Sequence, residues 1–80
     1  MMNESVVLPK WGMTMTEGTV AKWLKQVGDA VEMGENLAEV ETEKVNTYLE
    51  SPVAGTLTAI LVPEGQLVPV GTELAIITVR

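Results

Sequence analysis

Lys44, with Glu41 three residues before it, Glu43 directly before it, and Thr42 and Val45 close by, is the one group in this chain whose setting suggests chemistry. An amine at the tip of a turn has two uses. It is solvated charge, as most surface lysines are, or it is a point of attachment for a group that must be carried to other sites. The rest of the inventory narrows the field. The 80 residues include no Cys and no His, which removes zinc sites, Cys/His pairs and Ser/His triads. Ser5 and Ser51 have no base to activate them. Carboxylates, 5 basic residues and Tyr48 are what remain, too little for group transfer by this domain alone.

The elements around Lys44 must hold it out. Ala38-Glu39-Val40-Glu41 alternates apolar and polar residues, the period of a half-buried strand, and Val45-Asn46-Thr47-Tyr48-Leu49 is a second β-type run. The corner between them has no Gly or Asn for a primed turn, so a type I corner is expected, with Glu43 and Lys44 at its tip. Earlier in the chain, strands are expected over Ser5–Pro9, Gly18–Lys25 and Ala30–Met33. The adjacent Trp23 and Leu24 suggest a bulge or a change of face. Lys10–Glu17 has no clean period and reads as a loop. Later strands are expected over Gly55–Val62, Leu67–Val70 and Leu74–Val79, separated by turns at Pro63–Gln66 and Gly71–Glu73. No segment of helical length carries a 3.6 period, so the fold is all-β, in a single domain over residues 1–80.

With 46% apolar residues and no disulfide, a packed core must hold so small a domain together. The net charge of −6 disfavours nucleic acid and anionic membranes as partners, and a partner surface would be basic. No apolar run approaches membrane length. Met1–Ser5 lacks the blocks of a signal or transit peptide, so a cytoplasmic setting is expected, or the mitochondrial matrix if the segment comes from a longer precursor. The isolated domain is expected to be a monomer.

An internal repeat organises the chain. A shift of 37 aligns Gly18 with Gly55, Thr19 with Thr56, Leu24 with Leu61, Gly28 with Gly65, Val31 with Val68, Gly34 with Gly71, Leu37 with Leu74 and Ala38 with Ala75. Glycines at matched turns imply matched backbone geometry, hence two four-strand units related by an approximate two-fold. Lys44 shifted by 37 falls just past the chain end, so it should lie at the pole opposite both termini. Val6-Val7-Leu8 matches Thr47-Tyr48-Leu49 only at a shift of 41, which leaves four extra residues before Gly18. That enlarged loop, Lys10–Glu17, should sit beside Lys44.

At this point the residues resemble a known family, the lipoyl domains of 2-oxo acid dehydrogenase complexes. Glu41-Thr42-Glu43-Lys44-Val45 is similar to the lipoylation motif usually written Glu-Thr-Asp-Lys-Ala, with Glu43 and Val45 as departures. Met15-Thr16-Glu17-Gly18-Thr19 and Pro52-Val53-Ala54-Gly55 extend the likeness over essentially the whole chain. The resemblance implies a flattened β-barrel of two four-stranded antiparallel sheets, with lipoate joined by an amide to Lys44 as a swinging arm. It further implies that Glu41 and Gly28, sixteen before the lysine, serve recognition by the lipoate-attaching enzyme.

The partners implied are that enzyme, a 2-oxo acid decarboxylase, an acyltransferase core to which coenzyme A comes, and a flavoprotein dihydrolipoyl dehydrogenase. The segment around Met13 and Met15 looks closer to the pyruvate and acetoin branch than to the oxoglutarate branch, and its place beside Lys44 makes it a candidate for partner recognition. Amide formation would move the domain from −6 to −7. Two alternatives stand beside this reading. A biotinyl carrier resembles the same fold but usually has Met on both sides of the lysine, where this chain has Glu43 and Val45. An unmodified β-sandwich interaction module would follow if the repeat were structural only.

Overall fold

A computed structural model describes residues 2–80. Eight strands follow one another: β1 (Asn3–Val7), β2 (Glu17–Trp23), β3 (Ala30–Val31), β4 (Asn36–Glu41), β5 (Asn46–Glu50), β6 (Gly55–Ile60), β7 (Leu67–Pro69) and β8 (Glu73–Val79). They form two antiparallel four-stranded sheets, ordered β1-β8-β6-β3 and β5-β4-β2-β7. The second order is the first with each strand replaced by its repeat partner, so the two-fold expected from the glycines is present in the topology itself.

The inward alternation of both sheets builds one core. Val20 and Leu57, Val31 and Val68, Leu37 and Leu74, Ala38 and Ala75, and Val40 and Ile77 are all buried, each pair 37 positions apart. Each buried Val, Leu or Ile side chain among them stabilises by roughly 1.5–3 kcal/mol, and this layer is what the fold rests on without any disulfide. Gly28, Gly34, Gly65 and Gly71 all adopt positive φ, between 84° and 99°, as the two matched pairs of turns require.

Three expectations need correction. The offset between β1 and β5 is 43, not 41. Leu8 N–H donates to Thr72 O while Ser51 N–H donates to Glu35 O, and Gly71 and Gly34 donate back to Leu8 O and Ser51 O. Leu8 therefore answers to Ser51, and the first half carries six extra residues rather than four. Second, the bulges lie elsewhere. The β2–β4 register shifts between Val20 and Lys22, and the β6–β8 register shifts at the equivalent place, between Leu57 and Ala59. Trp23 simply continues the pairing, opposite Ala38, and its indole N–H donates to Val62 O at 2.9 Å. Third, the short strand ends at Val31, because Glu35 N–H donates to Glu32 O and places Met33 and Gly34 at the corner of a turn.

Candidate functional site

β4 runs toward the Lys44 turn and β5 runs away from it, paired from Glu41↔Asn46 back to Asn36↔Glu50. The turn is closed locally. Thr42 N–H donates to Val45 O at 2.8 Å. The Thr42 hydroxyl both donates to that carbonyl, at 2.9 Å, and accepts from Val45 N–H, at 3.2 Å. Neither Glu43 nor Lys44 has positive φ, which rules out the primed turns and agrees with the expected type I corner. Between these anchors Glu43 and Lys44 are exposed.

The lysine lies at the pole away from the chain ends. β5 leads from the turn through Ser51 to Ala54, whose carbonyl accepts from Arg80 N–H at 3.1 Å. Val79 N–H donates to Met2 O beside it, at 2.8 Å. The domain is 35 Å long, against 21 and 17 Å across.

The enlarged loop does reach this pole. Leu8, 1% exposed, anchors its start in the core, and Val70 N–H donates to Thr16 O at its end. Within it Met15 N–H donates to Gly12 O at 3.1 Å, and Trp11 N–H donates to the Met15 sulfur at 3.4 Å. Met15 packs against the core. Loop and turn together border an open groove of about 770 Å³. On the sheet beneath, Asn46, Glu41, Thr19 and Leu67 form one cross-strand row over β5, β4, β2 and β7.

Of the expected site residues, Lys44, Glu41, Thr42, Glu43, Val45 and Met15 line this groove. Met13 does not; it stands in solvent at 94% exposure. Gly28 does not line it either; its N–H donates to Leu57 O in the other sheet, next to the β3–β6 pairing. Glu17 lines the groove from the end of the loop expected beside Lys44, and Thr19 and Leu67 line it without having been expected. Leu67 could have been found from the repeat, because the two-fold that pairs β3 with β6 also pairs β7 with β2. Three carboxylates, on Glu17, Glu41 and Glu43, share the groove with one ammonium, on Lys44. Among the described residues the ion pairs are Lys25–Glu35 and Arg80–Glu32, and Lys44 is in neither.

Known proteins share this fold and much of this sequence. A family profile described as "Biotin-requiring enzyme" matches residues 4–77. The dihydrolipoyllysine-residue acetyltransferase component of the pyruvate dehydrogenase complex from Mycobacterium bovis is 55% identical over 70 residues, covering 88% of this chain and 13% of that protein. The corresponding component of the acetoin cleaving system from Bacillus subtilis is 49% identical over 72 residues, covering 90% of this chain and 18% of that one. The chain thus spans less than a fifth of the length of these relatives. Among solved structures, the lipoyl domain of the 2-oxoglutarate dehydrogenase complex from Azotobacter vinelandii superposes with a TM-score of 0.75 at 31% identity, covering 92% of this chain and 94% of that domain. A long-chain acyl-CoA carboxylase superposes with a TM-score of 0.80 at 24% identity, covering 98% of this chain and 7% of that one, and shows the shared fold. The chain belongs to the biotin- and lipoyl-attachment family, as a lipoyl domain. Lipoyl domains of acyltransferase components carry lipoate covalently on a lysine.

Proposed function

We propose that Lys44 is that lysine, and that its Nζ forms the amide with the lipoyl carboxyl. The observation that carries this is its position: an exposed amine in neither ion pair, at the tip of a hydrogen-bonded turn, at the pole away from both chain ends. Such a place fits a covalent arm, because nothing must move for an attaching enzyme to reach the nitrogen. Bound there, the group supplies a dithiolane that takes up an acyl group and reducing equivalents.

What the chain does is present and not interfere. Thr42 and Val45 fix the turn. With no Cys in the sequence, no protein thiol competes for a thioester or disulfide. Ser51 is buried with its hydroxyl donated to Val53 O, which supports a carrier without catalysis of its own. The partners we assign are a lipoate-attaching enzyme, a 2-oxo acid decarboxylase, an acyltransferase core and a dihydrolipoyl dehydrogenase, in a pyruvate or acetoin system of the cytoplasm. The two relatives above support that branch. Glu41, in the groove, is the residue we assign to recognition by the attaching enzyme.

Intact mass tests the reading. Incubation with lipoate, ATP and a lipoate-attaching enzyme should add one lipoyl group, and Lys44→Arg should add none. A biotinyl gain from a biotin-attaching enzyme, or lipoylation that survives Lys44→Arg, overturns it.

A further inference from the structure

The groove beside Lys44 has features that presenting an amine does not require. Four large apolar side chains stand in its lining beside the charged ones. Trp11 and Met15 come from the loop, Val45 from the turn and Leu67 from β7. Trp11, Val45 and Leu67 remain 40%, 55% and 56% exposed, although each is large enough to be worth burying. They are drawn together by separate devices: the Trp11–Met15 hydrogen bond, the Thr42–Val45 closure, and the cross-strand row that sets Leu67 beside Thr19 and Thr19 beside Glu41. Lys44 is itself one of the residues that border the groove, so a chain attached to its nitrogen starts next to it.

We propose that this groove is a docking site for the lipoyl arm on Lys44, with Trp11, Met15 and Leu67 holding the dithiolane end between visits to partner enzymes. The inference rests on the assignment of Lys44 as the attachment point. Amide formation removes the one positive charge from the groove and leaves Glu17, Glu41 and Glu43 around it. The occupant that suits this lining is uncharged, apolar and polarizable, and a dithiolane on a methylene chain is all three. Sulfur against the edge of an indole is a favourable contact, and the Met15 thioether is a flexible, polarizable neighbour.

Tethering makes weak contacts sufficient. A short flexible linker sets an effective concentration of the order of millimolar. A groove whose affinity for the free molecule is also about millimolar is then about half filled by its own arm, and half of the arms are out at any moment. The arm is held away from bulk solvent for part of its time yet remains free to leave. The three-carboxylate rim adds selection, because an anion at the arm's end meets like charge.

The test uses the lipoylated domain, with modification first established by intact mass. Resonances of the Trp11 indole N–H, the Met15 methyl and the Leu67 methyls are compared between unmodified and lipoylated protein. The docked arm should shift all three and give cross-relaxation between dithiolane protons and the Trp11 ring. Trp23 and Leu24, outside the groove, should not move. Free lipoamide added to unmodified protein should reproduce the shifts only at about millimolar concentration. Trp11→Ala and Leu67→Ser, both at exposed positions, should each reduce the remaining shifts by half or more, while Leu24→Ser leaves them intact. A protein that is lipoylated by mass, but whose changes stop at Glu43, Lys44 and Val45, overturns the docking site and leaves the carrier assignment standing. Failure to gain the lipoyl group overturns both.

Discussion

Thr42 and Val45 are joined by three hydrogen bonds across the two residues that separate them, two of them made by a single hydroxyl. The turn that carries the lysine is thereby shaped by a side chain rather than by a glycine. Thr42→Val keeps the β-branched shape and removes the hydroxyl, at a cost of about 0.5–1.5 kcal/mol per bond lost, with the lower end applying because water reaches the turn. Thr42→Ser should restore the bonds. Denaturant melts and initial lipoylation rates are the measurements, and the Val variant should be slower to modify than the Ser variant. Equal rates for the two would show that the hydroxyl does not matter to presentation.

Position in the turn should matter more than the identity of the neighbours. Exchanging the pair, Glu43→Lys with Lys44→Glu, keeps charge and composition while moving the amine by one residue. Both sites are exposed, so stability should stay within about 0.5 kcal/mol. A displacement of reacting groups by an ångström costs up to about 100-fold in rate, and a loss of that order is expected in lipoylation followed by mass.

Two glycines should fail for different reasons. A Cβ on Gly55 would lie 2.1 Å from the Thr78 carbonyl oxygen and 3.0 Å from Ile77 Cγ2. Gly55→Ala must therefore push β6 from β8, costing about 1–3 kcal/mol or more. At Gly28 a Cβ meets nothing within 4 Å, but φ is 99°. Gly28→Ala should cost about 1–3 kcal/mol through backbone strain alone. Thermal melts give both values. Crystal structures should show strand displacement for the first and an unmoved sheet for the second.

Lys25 and Glu35 form a surface ion pair at 2.7 Å. The hydrogen bond between them raises the Lys25 pKa above 10.5, and it lowers that of Glu35 below 4.5 with help from the Glu32 backbone N–H. The Glu35 contribution is present above pH 4.5 and is lost as pH falls through its lowered folded-state value. The Lys25 contribution is present below pH 10.5 and is lost as pH rises through its raised one. Glu35→Gln should flatten the fall in stability on the acid side, and added salt should narrow its difference from the parent at pH 7. An acid limb unchanged by Glu35→Gln would show that the pair does not contribute there.

The sheets, the two-fold and the place of Lys44 were legible because turn glycines and inward-facing residues repeat at a fixed offset. The β1 offset was misread for a physical reason. A strand slipped by two residues keeps the same faces inward, so aligning Leu8 with Leu49 looked as good as its true relation to Ser51. Backbone hydrogen bonds distinguish the two, and side-chain character does not. The bulges escaped for a similar reason, since the extra residue between Val20 and Lys22 is an unremarkable Ala21. Of the two loop methionines, Met15 turned inward and Met13 outward, a choice made by the Gly12–Met15 and Trp11–Met15 hydrogen bonds that composition does not display. Leu67 entered the groove through strand pairing across the repeat.

Asn3 pairs with Thr78, and the Met2 carbonyl receives Val79 N–H, so entry and exit of the polypeptide lie side by side. Extra sequence spliced on at either edge, whether a purification handle, an immobilising anchor or another bead of the same kind, would hang from the base and leave the opposite tip facing open liquid. Copies strung in series could each offer an arm without shading the next.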